Sequence, residues 1–237
     1  PAERCDAHYP VALTTGRLRD QWHGMSRTGT LGRLHAHGGM PAVEMHPQEL
    51  ARRGWTEGRL VTLKSRRGTL VLPVRGAESV APAQAFVAMH WGGEWLPGGG
   101  ALGVNALMPT ARCPQSRQPE LKHAAVRVTA AELPWGLSAA AWLPAAEALA
   151  VREALRPLLA PLPFAALVPF GHEALAVEGD PGAEGAVDPT VDQEGQLGQV
   201  GLQLQAASAD PLPEALCRQV SEVLGIAGPQ VLSYADA

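Results

Sequence analysis

The stretch Thr14–Gly29, TTGRLRDQWHGMSRTG, follows a short apolar run and gathers arginines, glycines, a tryptophan and a histidine in one place. Gly16 ends that run. A glycine at a strand end lets the backbone approach a ligand, and successive N–H groups there can cradle an anion. Arg17 adds a planar fork suited to phosphate, Trp22 a flat face for stacking and His23 a ring donor. Farther on, ALGVNAL reads as a short helix carrying Asn105 inward, and its amide complements the edge of a pterin or guanine. Lys122 stands just before a late strand, where it could meet a phosphate. The chemistry of this set is recognition of a flat, anionic molecule. Each residue also has a plainer reading: Trp22 as a core plug, Asn105 as a cap, Lys122 as a solvated charge.

Other chemistries find little support. His35 and His37 in RLHAHGG are two metal-type ligands without a third. No nucleophile elbow, P-loop or paired-carboxylate site occurs, and Ser65 in KSRRG reads as a turn residue. GEWLPGGGALG is not a dinucleotide fingerprint, since no strand feeds it at the right spacing; Gly98, Gly99 and Gly100 read as the end of an open loop. Cys5, Cys113 and Cys217 lie far apart with no C-x-x-C pair, which argues against a disulfide scaffold, a zinc site or an iron–sulfur cluster here and points to a reducing cytosol.

The elements that must position these groups fall in two parts. Residues 1–128 hold 16 Lys and Arg against 9 Asp and Glu, and residues 129–237 hold 3 against 14. The basic part suits an anionic ligand and the acidic part repels one. The basic part reads as short strands: VALTT, PAVEM, RLVTLKS with TLVLPV as a hairpin, AQAFVAM and HAAVRVT, with a helix HPQELARRG stopped by Gly54. Short strands and glycine-rich turns predict a small closed β-barrel.

In the acidic part AAEALAVREALRPLLA and PEALCRQVSEVLGI have helical spacing, while FAALVPF and QVGLQLQA read as strands. Residues 178–196 are acidic and rich in Gly and Pro, hence a predicted mobile loop. No apolar run approaches the roughly 18 to 20 residues of a membrane-spanning helix. The start, PAERCDAHYP, has neither Met nor a signal-peptide pattern, so the chain reads as a piece of a longer protein.

Four blocks in order, YPVALTTGRLRDQWHGMSRTG, VEMHPQELARRGWTEGRLVTLKSRRGTLVLPV, FVAMHWG and NALMPTARCPQSRQPELKHAAVRV, carry a resemblance that spans residues 8–128. They resemble the C-terminal cofactor-binding domain of the molybdopterin oxidoreductases related to dimethyl sulfoxide reductase, and most of all assimilatory, cytoplasmic nitrate reductases. The resemblance implies a mainly β fold: a six-stranded double-psi β-barrel with short helices over residues 1–130, followed by a smaller, acidic α/β domain over 131–237 of structural or partner-docking role.

It further implies that Thr15, Gly16, Arg17, Trp22 and His23 touch a molybdopterin guanine dinucleotide, with Leu18 to Gln21 and Gly24 contributing backbone. Asn105 and Lys122 fall on two further cofactor positions, and Met89 and His90 on a loop near the cofactor and substrate funnel. The implied cofactor is Mo-bis(molybdopterin guanine dinucleotide). An iron–sulfur cluster, the molybdenum ligand and most of the nitrate funnel would belong to the rest of the catalytic subunit, so this chain by itself is expected to be inactive. Implied partners are that remainder, nitrate and an electron-donor protein, with neither nucleic acid nor membrane. Cys113-Pro114 stands where many relatives have Asp-Pro, which puts that turn's geometry in question.

Two alternatives stay open: a formate dehydrogenase or another molybdopterin oxidoreductase, and a non-catalytic barrel for a nucleotide or a protein partner. Convergence of Trp22, His23, Asn105 and Lys122 on one site favours the cofactor, and scatter favours the module.

Overall fold

A computed structural model describes all residues except 27, 36–37, 100–102, 171–198, 229 and 234–237. His37, Gly100, the loop expected over 178–196 and the terminal YADA therefore lie outside the described residues.

The strands β1 (Val11–Gly16), β2 (Val43–Met45), β3 (Leu60–Lys64), β4 (Thr69–Gly76), β5 (Gln84–Ala88) and β6 (His123–Ala130) close into a barrel in the order β1-β5-β2-β4-β3-β6. The expected six-stranded barrel is present. Alternating residues turn inward, so Val11 and Leu13, Val61 and Leu63, and Leu70, Leu72 and Val74 fill its core. β3 and β4 form the expected hairpin across the SRRG turn, where buried Ser65 accepts from the N–H groups of Arg67 (3.1 Å) and Gly68 (3.3 Å). The pairs β1/β5 and β2/β4 are parallel, which no succession of hairpins produces. Helix α1 (Pro47–Arg53) starts at His46, whose ring accepts from Gln48 N–H, and stops at Gly54 in the left-handed region (φ 66°).

Beyond the barrel, β7 (Trp135–Pro144), β8 (Phe164–Phe170), β9 (Gln199–Ser208) and β10 (Gln230–Ser233) build a second sheet, order β10-β7-β9-β8, with every pairing antiparallel. Helices α2 (Ala148–Leu159) and α3 (Glu214–Leu224) pack Leu155, Leu159, Val220 and Leu224 onto Leu137, Leu167 and Leu204 of that sheet. On the sheet's other face, Phe164, Ala166, Val168 and Ala207 join the barrel core. Coverage on both faces is why FAALVPF is buried along its whole length and reads as an unbroken apolar run.

The segment Gly92–Gly99 joins the two parts. Trp95 carbonyl accepts from Leu167 N–H (2.9 Å), and Gly99 N–H donates to Leu162 carbonyl (2.8 Å). Glycines 98 and 99 are thus not an open loop end. A Cβ on Gly98 would lie 2.6 Å from Ala165 N and 2.7 Å from Leu162 O, and buried glycine is what permits so close a backbone approach. From α2, buried Arg152 lays its guanidinium 4.2 Å from the centre of the Trp95 ring and bonds Glu94 O (3.3 Å).

His35 lies under Trp91 and Trp95, 1% exposed, with ring centres 6.3 and 5.5 Å away. Burial lowers its pKa to about 4, the bond from its ring to Gly29 carbonyl opposes this, and the Arg152 charge adds to the lowering. Among the described residues no cluster of metal-binding side chains surrounds it.

Two outcomes follow from this packing. Gly98→Ala should lower stability by about 1–3 kcal/mol in urea unfolding, because rigid backbone meets the new methyl; Gly92→Ala, with open space at its Cβ, should leave stability unchanged. His35 is held neutral in the folded chain, so the unfolded chain takes up its proton first. Stability should therefore fall as pH drops from about 6.5 towards 4, by an amount on the order of 3 kcal/mol from this group. Denaturation midpoints of wild type and His35→Gln across that window should show a shallower acid slope in the variant.

Candidate nucleotide-binding site

β1 and β5 run parallel with Gly16 opposite Ala88, and β6 runs antiparallel to β1 with His123 opposite Thr14. The C-terminal ends of β1 and β5 and the start of β6 therefore share one end of the barrel. That register brings Thr15–Arg17, Met89–His90 and Lys122 together. The backbone stitches the three entries: Met89 N–H donates to Gly16 O (2.9 Å), and Thr15 N–H to Lys122 O (3.4 Å). Thr15 is buried and its hydroxyl donates to Leu121 O (2.7 Å), so it is already engaged within the protein.

The loop after β1 is held from beneath. Buried Gln21 donates through its amide to Leu34 O (3.0 Å) and accepts from the Thr28 hydroxyl (2.6 Å). Met25, 2% exposed, anchors the far end, and its N–H donates to Trp22 O (2.7 Å). His23 (φ 34°) and Met25 (φ 56°) both adopt left-handed backbone, a conformation costly for side-chain-bearing residues and retained only where surroundings enforce it. Buried His90 supplies part of that enforcement: its Nε2 accepts from Leu18 N–H (3.1 Å), and its Nδ1 bonds His23 carbonyl. Burial pushes the His90 pKa below the ordinary imidazole range, the His23 carbonyl bond opposes this, and the neighbouring charges of His23, Arg17 and Lys122 lower it further.

Above this support the recognition groups stand in solvent. Trp22 is 60% exposed and is no core plug, because Met25 fills the interior beside it. Its ring meets His23 edge-on at 4.5 Å, and the Arg17 guanidinium lies 5.3 Å from its centre. Lys122, also exposed, places Nζ 3.1 Å from Met89 Sδ. Gly24 has open space where a Cβ would be, and Leu18 tucks its side chain against Gly38.

Asn105 differs from expectation. ALGVNAL carries a short 3-10 helix, Gly103–Leu107, in which Gly103, Val104 and Leu107 are buried and Asn105 points to solvent. With three residues per turn, Val104 and Leu107 fall on one face and exclude Asn105 from it. Gly103, two residues earlier, sits against Trp91 O in the turn that follows His90. Trp22, His23 and Lys122 thus lie on segments that leave the same end of the barrel, a set of donors and one flat face of the kind that suits an anionic heterocycle. The turn at Cys113 is closed by backbone, Arg117 N–H to Cys113 O (2.9 Å) and Cys113 N–H to Gln118 O (2.8 Å), so no carboxylate is needed to form it.

Thr28 and Arg152, and the side-chain role of Gln21, were not read from the sequence. A glutamine between Asp20 and Trp22, or an arginine on an amphipathic helix, carries no sequence signal of its buried role. A groove of about 950 Å3 between barrel and second sheet, lined by Arg59, Pro73, Leu133, Phe164 and Gln205 among others, holds none of the expected site residues.

Residues 11–125 match the family described as molydopterin dinucleotide binding domain. A nitrate reductase of Klebsiella oxytoca is 39% identical over 140 residues, 59% of this chain and 14% of that protein. One from Synechocystis sp. is 41% identical over 128 residues, 54% of this chain and 18% of that protein. A periplasmic nitrate reductase of Desulfovibrio desulfuricans is 33% identical over 127 residues, 54% of this chain and 16% of that protein. The matched stretch is thus less than a fifth of each of these relatives. Over residues 11–125 the chain is thus similar to the molydopterin dinucleotide binding domain and, across that stretch, to nitrate reductases.

Proposed function

We propose that this chain is the cofactor-binding part of the catalytic subunit of a molybdenum-dependent nitrate reductase. In this reading it holds Mo-bis(molybdopterin guanine dinucleotide) for the reduction of nitrate to nitrite in nitrate assimilation. The observation that carries the reading is the exposed Trp22 with Arg17 at its ring, at the barrel end where Lys122 also stands. The donor set fits such a cofactor: Arg17 and Lys122 for phosphates, the Trp22 face for a heterocycle, the Asn105 amide for its edge. Asp20, the acidic residue within that loop, is paired with Arg19 at 2.9 Å, which limits its repulsion of an anion.

When bound, the cofactor supplies oxygen-atom and electron transfer at molybdenum. The chain's own residues bind and orient it. Backbone around Gly24, with open space at its Cβ position, admits close approach, Arg17 and Lys122 balance phosphate charge, and Gln21, His90 and Thr15 fix the loops that present them.

Nitrate as substrate rests on relatives named nitrate reductases. A cytoplasmic, assimilatory setting is the finer reading we adopt, supported by three cysteines that are all free, two of them exposed. The iron–sulfur cluster is assigned to the rest of the catalytic subunit, with which this chain would assemble, and electrons would arrive from a donor protein. No helix of the described residues is long and apolar enough to cross a membrane.

Calorimetry with GDP, which shares the nucleotide portion of the cofactor, tests the site. Wild type should bind saturably and more weakly as salt rises. Arg17→Ala and Lys122→Ala should each weaken binding about 10-fold or more, the loss of one charge-assisted contact. Binding at wild-type strength by both variants would move the ligand away from this end of the barrel.

A further inference from the structure

His90 aligns with a cofactor-adjacent loop, but its surroundings give it a different task. It is 4% exposed, and both ring nitrogens are engaged by backbone of the loop after β1. Nε2 accepts from Leu18 N–H at 3.1 Å, so in this geometry that nitrogen carries no proton. The ring proton is then on Nδ1, facing the His23 carbonyl, to which it donates. No ring nitrogen remains for a ligand.

The two anchor points bracket the recognition loop. Arg17 immediately precedes Leu18, and Trp22 immediately precedes His23. His23 also holds left-handed backbone at φ 34°, which relaxes unless something retains it. We propose that His90 is a positioning residue for nucleotide binding: as the neutral, Nδ1-protonated ring it clamps Leu18 to His23 and so fixes Arg17 and Trp22 towards the ligand. This rests on the nucleotide-site reading above.

The clamp has a defined failure mode. A second proton would place N–H on Nε2 directly against Leu18 N–H, turning an attraction into a repulsion. The charged and titratable groups facing the ring are Arg17, Lys122 and His23, all cationic or able to become so. Burial and these neighbours together disfavour the imidazolium, which keeps the clamp closed at neutral pH. As pH falls through the value of the folded ring, the bond to Leu18 is lost and the loop is released.

The test uses the 237-residue chain. Long-range 15N–1H spectra of the imidazoles should show His90 as the Nδ1–H tautomer, with slow exchange of the Leu18 amide. A ring protonated on Nε2 at neutral pH overturns the proposal. GDP binding should weaken about 10-fold in wild type as His90 titrates. His90→Gln, whose amide oxygen can accept from Leu18 but does not titrate, should stay within about 3-fold of neutral wild type and lose that pH dependence. The ligand's own phosphate ionisation is common to both proteins and cancels in their ratio. His90→Phe, folded by circular dichroism, should bind weakly at every pH. A Gln variant that follows the wild-type pH curve, or a Phe variant that binds normally, overturns the clamp. If wild type binds no GDP, the nucleotide-site reading fails instead, and the tautomer and Leu18 exchange still decide whether the clamp exists.

Discussion

Parallel pairing of β1 with β5, with β6 antiparallel on the other side of β1, is the constraint from which the site follows. Parallel neighbours finish at the same end, so the segments leaving Gly16 and Ala88 emerge side by side. The antiparallel β6 begins at that end, which delivers Lys122. The register leaves little room for error. Gly16 opposite Ala88 has Phe86 packed against it, with 3.0 Å to a notional Cβ, so a side chain there forces the aromatic ring to yield. Shifting β1 by one residue would also turn Val11 and Leu13 out of the core. The apolar core thereby sets the position of the polar site to within one residue.

A second constraint comes from the acidic part of the chain. Its described residues offer the barrel an apolar sheet face and one cation. Arg152, one of only three Lys and Arg after residue 128, is buried against Trp95 and bonded to Glu94. The segment running from Met89 to Gly99 is consequently held twice. Its start is tied to the nucleotide loop through His90, and its end to β8 through Trp95 and Gly99. Between these ties Trp91 and Trp95 close over His35. In the proposed reading the basic half meets an anion, while described residues of the acidic half brace the segment behind His90.

Much of this frame was readable from residue order. Period-two alternation located the barrel strands, since one face of each is buried, and Gly54 marked the end of α1 because the helix needs a left-handed residue there. β7 was not readable as a strand: WGLSAAAWLP is rich in alanine, whose small side chain carries little contrast between inward and outward positions. The candidate site residues were singled out by type and place, Arg17 and Trp22 after a strand and Lys122 just before one. Their arrangement was less so. Asn105 turned outward because a 3-10 turn has a three-residue period, and the sequence does not distinguish that from an α-helical turn. Gly98 looked like loop punctuation, yet the reason for it is the backbone of Ala165, 67 residues later, which a Cβ there would meet at 2.6 Å, beyond any local pattern.

The site divides its residues by burial. Thr15, Gln21 and His90 are polar, buried and saturated by the protein's own groups, whereas Arg17, Trp22, His23, Asn105 and Lys122 are exposed, leaving them accessible to a ligand. A binding surface made of long, mobile cations loses affinity to the entropy of ordering them, and the remedy is to fix the backbone from which they extend. Here that work falls to neutral groups beneath the surface. A buried histidine can do it only while uncharged, and the cations near it help to keep it so. In the proposed reading, the charge that attracts the ligand and the neutrality that shapes the loop thus support one another in the ligand-free fold.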